Sequence, residues 1–129
     1  RAMVRATAGL GTTVLVNDRA DIAIAAGAAG VHLRSDSAAG ARVRALLPPG
    51  FVVGRSVHSL ADVDAVQRDG YDYLLFGTVF PSAGKPADHP VAGLDALAAA
   101  CHRSAIPVIA IGGIDENGAA GFAGVGMFM

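Results

Sequence analysis

Short, continuously apolar runs alternate along this chain with longer stretches that mix apolar and polar positions. Runs at 12–17, 30–33, 51–55, 73–77, 107–112 and 121–125 predict strands, and their unbroken hydrophobicity marks strands covered on both faces. Between them, 21–26, 38–47, 60–69 and 92–103 predict helices. Ser59 followed by Asp62 three positions later predicts a capped start for the helix at 60–69. Gly27, Gly50 and Gly70 stand where helices stop.

Strand–helix alternation of this kind predicts a parallel α/β sheet with right-handed crossovers. The strand starts at 12, 30, 51, 73, 107 and 121 give repeats that suit a (β/α)8 TIM barrel. Six strands cannot close an eight-stranded ring. The expectation is therefore one domain, 1–129, that supplies about the last six strands, with the first two βα units absent. Residues 114–120 are too few for a parallel crossover, which needs a dozen or more, so a short gap is expected there.

Composition narrows the function classes. Hydrophobic residues make up 53% and charged residues 16%, enough apolar material for a substantial core. A net charge of −1 supplies no basic surplus for nucleic acid. Cys101 is the lone cysteine, so a disulfide framework and a multi-cysteine metal site are excluded, and its Ala-rich setting reads as a buried helical thiol. No apolar run reaches the length of a membrane span and no leader is visible, so a cytoplasmic location is expected, with no membrane partner.

Candidate chemistry clusters where strands end, the face on which barrels keep their active sites. Tyr71 to His89 is the richest segment: an apolar strand ends in Gly77-Thr78 and empties into a loop with Ser82, Gly84, Lys85 and His89. Lys85, between Gly84 and Pro86, suits an anionic, phosphorylated ligand, although an exposed loop lysine is the plain alternative. His89 reads as solvent-exposed. Asn17 and Asp18 follow the first strand, where Asp18 either holds magnesium or caps the next helix. His32 reads as a satisfied packing histidine. Arg34 and Asp36 lie in the following loop, and Ser37 is the natural cap for the next helix. Ser56 and His58 share one side of the third strand as a polar pair, suited to hydrogen-bonding a ligand. Gly112 and Gly113, with Gly124 and Gly126 after the last run, are placed for a backbone phosphate site.

The segments VLVNDRADIAIAAGAAGVHL, VVGRSVHSLADV, DYLLFGTVFPSAGKP and PVIAIGGIDEN resemble the thiamine phosphate synthase superfamily, which includes the TenI-type thiazole tautomerases. The resemblance implies a (β/α)8 barrel. It also implies a transferase that joins hydroxymethylpyrimidine diphosphate to thiazole phosphate and releases pyrophosphate with the help of Mg2+. In that pattern Asp18 matches a metal aspartate and Ser56 a serine near the pyrophosphate. Ser82 and Lys85 match the loop that grips both substrates, and Lys85, Ser56 and His58 become the catalytic candidates. Asn17, Thr78, Gly112, Gly113 and Gly126 join the substrate-binding set. The second metal aspartate falls on Ser37, with Asp36 adjacent. A TenI-type tautomerase, which needs no metal, is the alternative; its catalytic histidine falls at Thr78. A non-catalytic barrel that binds a phosphorylated ligand is a further alternative. The implied partners are small phosphorylated substrates, and open sheet edges would favour a homo-oligomer.

Overall fold

The computed structural model describes residues 1–82, 84–86 and 88–116. Five strands form one parallel sheet in sequential order: β1 (Leu15–Asn17), β2 (Gly30–Leu33), β3 (Val52–Val57), β4 (Tyr73–Gly77) and β5 (Val108–Ile111). Helices α1 (Ala2–Ala6), α2 (Ala20–Ala26), α3 (Gly40–Arg44), α4 (Leu60–Val66) and α5 (Gly93–Arg103) alternate with them. This is the α/β barrel grammar expected from the sequence, in a sheet that is not closed among the described residues. The expected sixth strand at 121–125 lies outside them, as do 117–120 of the expected gap.

Side-chain alternation divides the sheet into two unlike faces. Val31, Leu33, Val53, Val57, Leu74 and Phe76 are buried in one cluster with Val63 of α4 and with Leu97 and Ala100 of α5. The other face carries polar and small residues. Asn17, His32, Gly54 and Tyr73 stand directly opposite one another across four strands. Gly54 makes that row possible, because a Cβ there would stand 2.1 Å from Cζ of Tyr73. Glycine inside an apolar strand thus lets the tyrosine ring lie across β3.

Local signals set most element ends. The Ser59–Asp62 capping box is present: Asp62 N donates to Ser59 Oγ at 3.1 Å, and Ser59 N donates to Asp62 Oδ2 at 2.9 Å. Gly27 stops α2 at φ +69°. The helix expected at 38–47 is shorter and starts later, at Gly40. Ser37 is not its cap. Asp69 caps it from the end of the next βα unit, accepting from Gly40 N at 2.7 Å. Ser37 has its hydroxyl committed elsewhere, to Asp18.

Candidate functional site

The carboxyl ends of all five strands open on one side, and the candidate residues gather there. At β1 and β2 the centre is Asp18, held at φ +56° directly after Asn17. Its Oδ1 accepts from Ser37 Oγ at 2.5 Å and from Arg34 N at 3.0 Å. Its Oδ2 pairs with Arg34 Nε at 2.7 Å. The Ser37 hydrogen bond, followed by the Arg34 backbone N–H, holds the Asp18 carboxyl below the usual carboxylate range. Asp36 reaches the same guanidinium, at 3.5 Å. Asp18 caps no helix; Arg19 holds the N-cap position of α2.

At β2, β3 and β4 a chain of three side chains crosses the sheet. Tyr73 Oη lies 2.8 Å from His32 Nδ1, and His32 Nε2 lies 2.9 Å from Ser56 Oγ. The two rings stack with centroids 5.6 Å apart. Burial pushes the His32 pKa below its ordinary 6.5, against the opposing pull of the Asp18 charge. His32 is therefore the satisfied buried histidine that its strand position suggests, and it ties Ser56 to Tyr73.

Ser56 and His58 do not act as one pair. Ser56 turns to His32, and His58 Nδ1 meets the Gly77 carbonyl at the end of β4. His58 and Gly77 line a cavity of about 320 Å³ with His89, Pro90, Val91 and Ala92. His89 is half-buried rather than solvent-exposed as its place before Pro90 suggested, because its Nε2 lies 3.2 Å from Thr78 Oγ1. A second cavity, of about 140 Å³, is lined by Pro81, Ser82, Lys85, Pro86, His89 and Val91. Ser82 and Lys85 thus share one hollow, and the Lys85 N–H donates to the Ser82 carbonyl at 3.1 Å.

Gly112 and Gly113 follow β5 beside that loop. Val79 N donates to Ile111 O and Phe80 N to Gly112 O, each at 3.0 Å, which laces the turn after β5 to the segment leaving β4. Gly113, at φ +65°, brings its backbone so close that a Cβ would stand 2.3 Å from the Pro81 carbonyl oxygen. Gly126 lies outside the described residues.

The sequence profile of the thiamine monophosphate synthase family matches residues 1–128. The chain belongs to that family. A relative from Geobacter sulfurreducens is 43% identical over 132 residues, which cover 98% of this chain and 62% of the relative. The thiamine-phosphate synthase of Myxococcus xanthus is 42% identical over 81% of this chain and 48% of its own length. A solved structure, thiamine phosphate pyrophosphorylase from Pyrococcus furiosus, superposes with a TM-score of 0.82 at 32% identity, covering 95% of this chain and 58% of that one. The chain thus spans roughly half to three fifths of the length of these relatives.

The resemblance to synthases places a magnesium ion at Asp18, with Asp36 beside the position of a second ligand. The donor set does not fit it. Magnesium takes free carboxylate oxygens in a near-octahedral shell. Here both Asp18 oxygens are engaged, and the guanidinium of Arg34 bridges Asp18 and Asp36 where a cation would sit. No group of three His, Cys, Asp or Glu side chains able to hold a metal occurs among the described residues. Among those residues no helix is long and apolar enough to cross a membrane either.

Sequence reading gave Tyr73 no role, took His89 as solvent-exposed and did not pair Arg34 with Asp18. Tyr73 sits in an apolar strand and reads as core. Its one signal was Gly54, whose meaning depends on a register that no single strand reveals.

Proposed function

We propose that this chain forms part of a thiamine phosphate synthase, which joins hydroxymethylpyrimidine diphosphate to a thiazole phosphate. The bond between the pyrimidine methylene carbon and the diphosphate oxygen breaks, and its electron pair leaves with pyrophosphate. The thiazole nitrogen lone pair then forms the new C–N bond. No proton need move in either step.

The observation that carries this reading is the meeting of two candidate anion-binding elements at one strand-end mouth. The Ser82–Lys85 hollow follows β4, and the Gly112–Gly113 turn is hydrogen-bonded to the same segment. Backbone N–H groups at the glycine turn suit the thiazole phosphate, with Gly126 as a further candidate. Lys85 offers a positive charge to developing pyrophosphate, and Ser82 and Ser56 offer hydroxyl donors. Asn17, at the end of β1, and Thr78, directly after β4, are further substrate-binding candidates. The small phosphorylated substrates are its partners.

A second reading, a metal-free thiazole tautomerase, is favoured by one contact. Thr78 stands where the tautomerase resemblance calls for a histidine, and the His89 imidazole reaches its hydroxyl, with His58 across the same cavity. An imidazole offers a ring nitrogen that can act as a general base, which a threonine hydroxyl does not.

The test is an assay of the complete protein with both synthase substrates, with and without Mg2+. Thiamine phosphate formation supports the synthase. Proton exchange on the thiazole carboxylate phosphate, without formation of thiamine phosphate, supports the tautomerase instead. Binding of thiazole phosphate with neither reaction defeats both.

A further inference from the structure

The chain Tyr73–His32–Ser56 links three adjacent strands on the polar face, and its direction can be worked out from hydrogen counting. A neutral imidazole donates from one nitrogen and accepts at the other. Burial of His32 favours that neutral form. Burial also raises the Tyr73 phenol above its ordinary value of 10.0, so it keeps its proton. Among the described residues that proton has one hydrogen-bond acceptor, His32 Nδ1 at 2.8 Å. With the phenol donating along this contact, Nδ1 accepts, and Nε2 carries the ring proton and donates to Ser56 Oγ at 2.9 Å. With its oxygen already accepting, Ser56 has its own hydroxyl proton left to give.

We propose that Tyr73 and His32 are positioning residues that lock Ser56 as a hydrogen-bond donor to a diphosphate oxygen at the strand-end mouth. The proposal rests on the synthase reading above for the identity of that anion. The direction of the chain is the reverse of a nucleophilic serine–histidine pair, in which the imidazole accepts from the hydroxyl. It follows that Ser56 binds and does not attack. The arrangement also explains why Gly54 lies between the two rings: any side chain there would push Tyr73 away from Nδ1.

The experiment uses the complete protein with inorganic pyrophosphate as the probe, alongside thiamine phosphate formation. Ser56→Ala and His32→Ala should each weaken pyrophosphate binding by about tenfold, and the double variant should be no worse than either single one. Tyr73→Phe should weaken it about threefold. The spectroscopic readout is the pair of 15N ring resonances of His32: protonated Nε2 with unprotonated, hydrogen-bonded Nδ1 in the parent, and a mixture of tautomers in Tyr73→Phe. A purely structural histidine would leave the cycle additive and the tautomer unmoved by Tyr73. An additive cycle, or an Nδ1-protonated ring in the parent, overturns the proposal. The two readings separate cleanly, because a parent protein that binds pyrophosphate through this chain but makes no thiamine phosphate defeats only the synthase.

Discussion

Arg34 Nε stands 2.7 Å from Asp18 Oδ2, so the guanidinium from the loop after β2 sits on the carboxylate after β1. The pair joins two adjacent strand ends at the place where the family resemblance called for a cation. The protein supplies that charge from its own chain. Arg34 is two-thirds exposed, so the pair is better regarded as an organiser of the mouth than as a large source of stability.

Removing that guanidinium should open Asp18 to metal. Arg34→Met is expected to tighten Mg2+ binding by roughly fivefold, the gain of about 1 kcal/mol that a unit charge at contact distance commands in water. Calorimetric titration of the parent and the variant with MgCl2 checks it. Equal affinity in the two proteins would show that the guanidinium does not compete for the site.

The depressed Asp18 carboxyl makes a prediction about acid. Its native pKa lies below the ordinary 3.8, first because of Ser37 and then because of Arg34, so the unfolded chain binds more protons in the window between the two values. The contribution is therefore fully present above the unfolded value and is lost as pH falls through the native one. Ser37→Ala removes the largest cause and brings the two values closer. Melting temperatures recorded between about pH 2 and pH 6 should then fall less steeply for Ser37→Ala than for the parent.

His32 acts in the same direction at higher pH. Its native pKa is lowered from 6.5, chiefly by burial, with Tyr73 and Ser56 as its hydrogen-bond partners and Asp18 the charge that opposes the shift. Stability from the neutral ring is complete above the unfolded value and declines as the solution is acidified below it. His32→Gln should remove this limb of the stability–pH curve, leaving the Asp18 limb in place.

Gly54→Ala tests the row on the polar face. The new methyl would meet the Tyr73 ring at 2.1 Å and displace it from His32. A loss of about 1–3 kcal/mol in urea denaturation is expected from the overpacking, together with loss of the single His32 tautomer. A variant as stable as the parent, with its histidine resonances unchanged, would count against the contact.

Asp69→Ala removes the remote cap of α3, which receives the Gly40 N–H at 2.7 Å. The expected cost is about 1 kcal/mol, similar to that of Ser59→Ala at the start of α4. Because α3 has only five residues, amide exchange of its first turn should accelerate more in Asp69→Ala than exchange in the rest of the sheet.

Much of the fold could be read from contiguous residues. Apolar runs announced the five described strands, the Ser59–Asp62 spacing announced the capping box, and Gly27 announced the end of α2. The strand-end location of the candidate site was legible for the same reason: hydroxyls, glycines and Lys85 follow an apolar run directly in the chain. What escaped was every contact made between βα units. Ser37 read as a helix cap because its neighbours along the chain are helical, yet its hydroxyl goes to Asp18, 19 residues away. His89 read as exposed from its place before Pro90, yet the fold turns it back onto Thr78.

Local hydrophobicity and spacing by themselves determined the strands, the parallel architecture and the end of the sheet where the candidate residues lie, since those depend on residues next to one another. Tertiary structure alone decided which polar groups meet. His32 and Tyr73 are 41 residues apart and come together because parallel pairing sets both opposite Gly54, the one residue small enough to let them touch. Register is a property of pairs of strands, and the tautomer of His32 and the direction of the Ser56 hydroxyl follow from it.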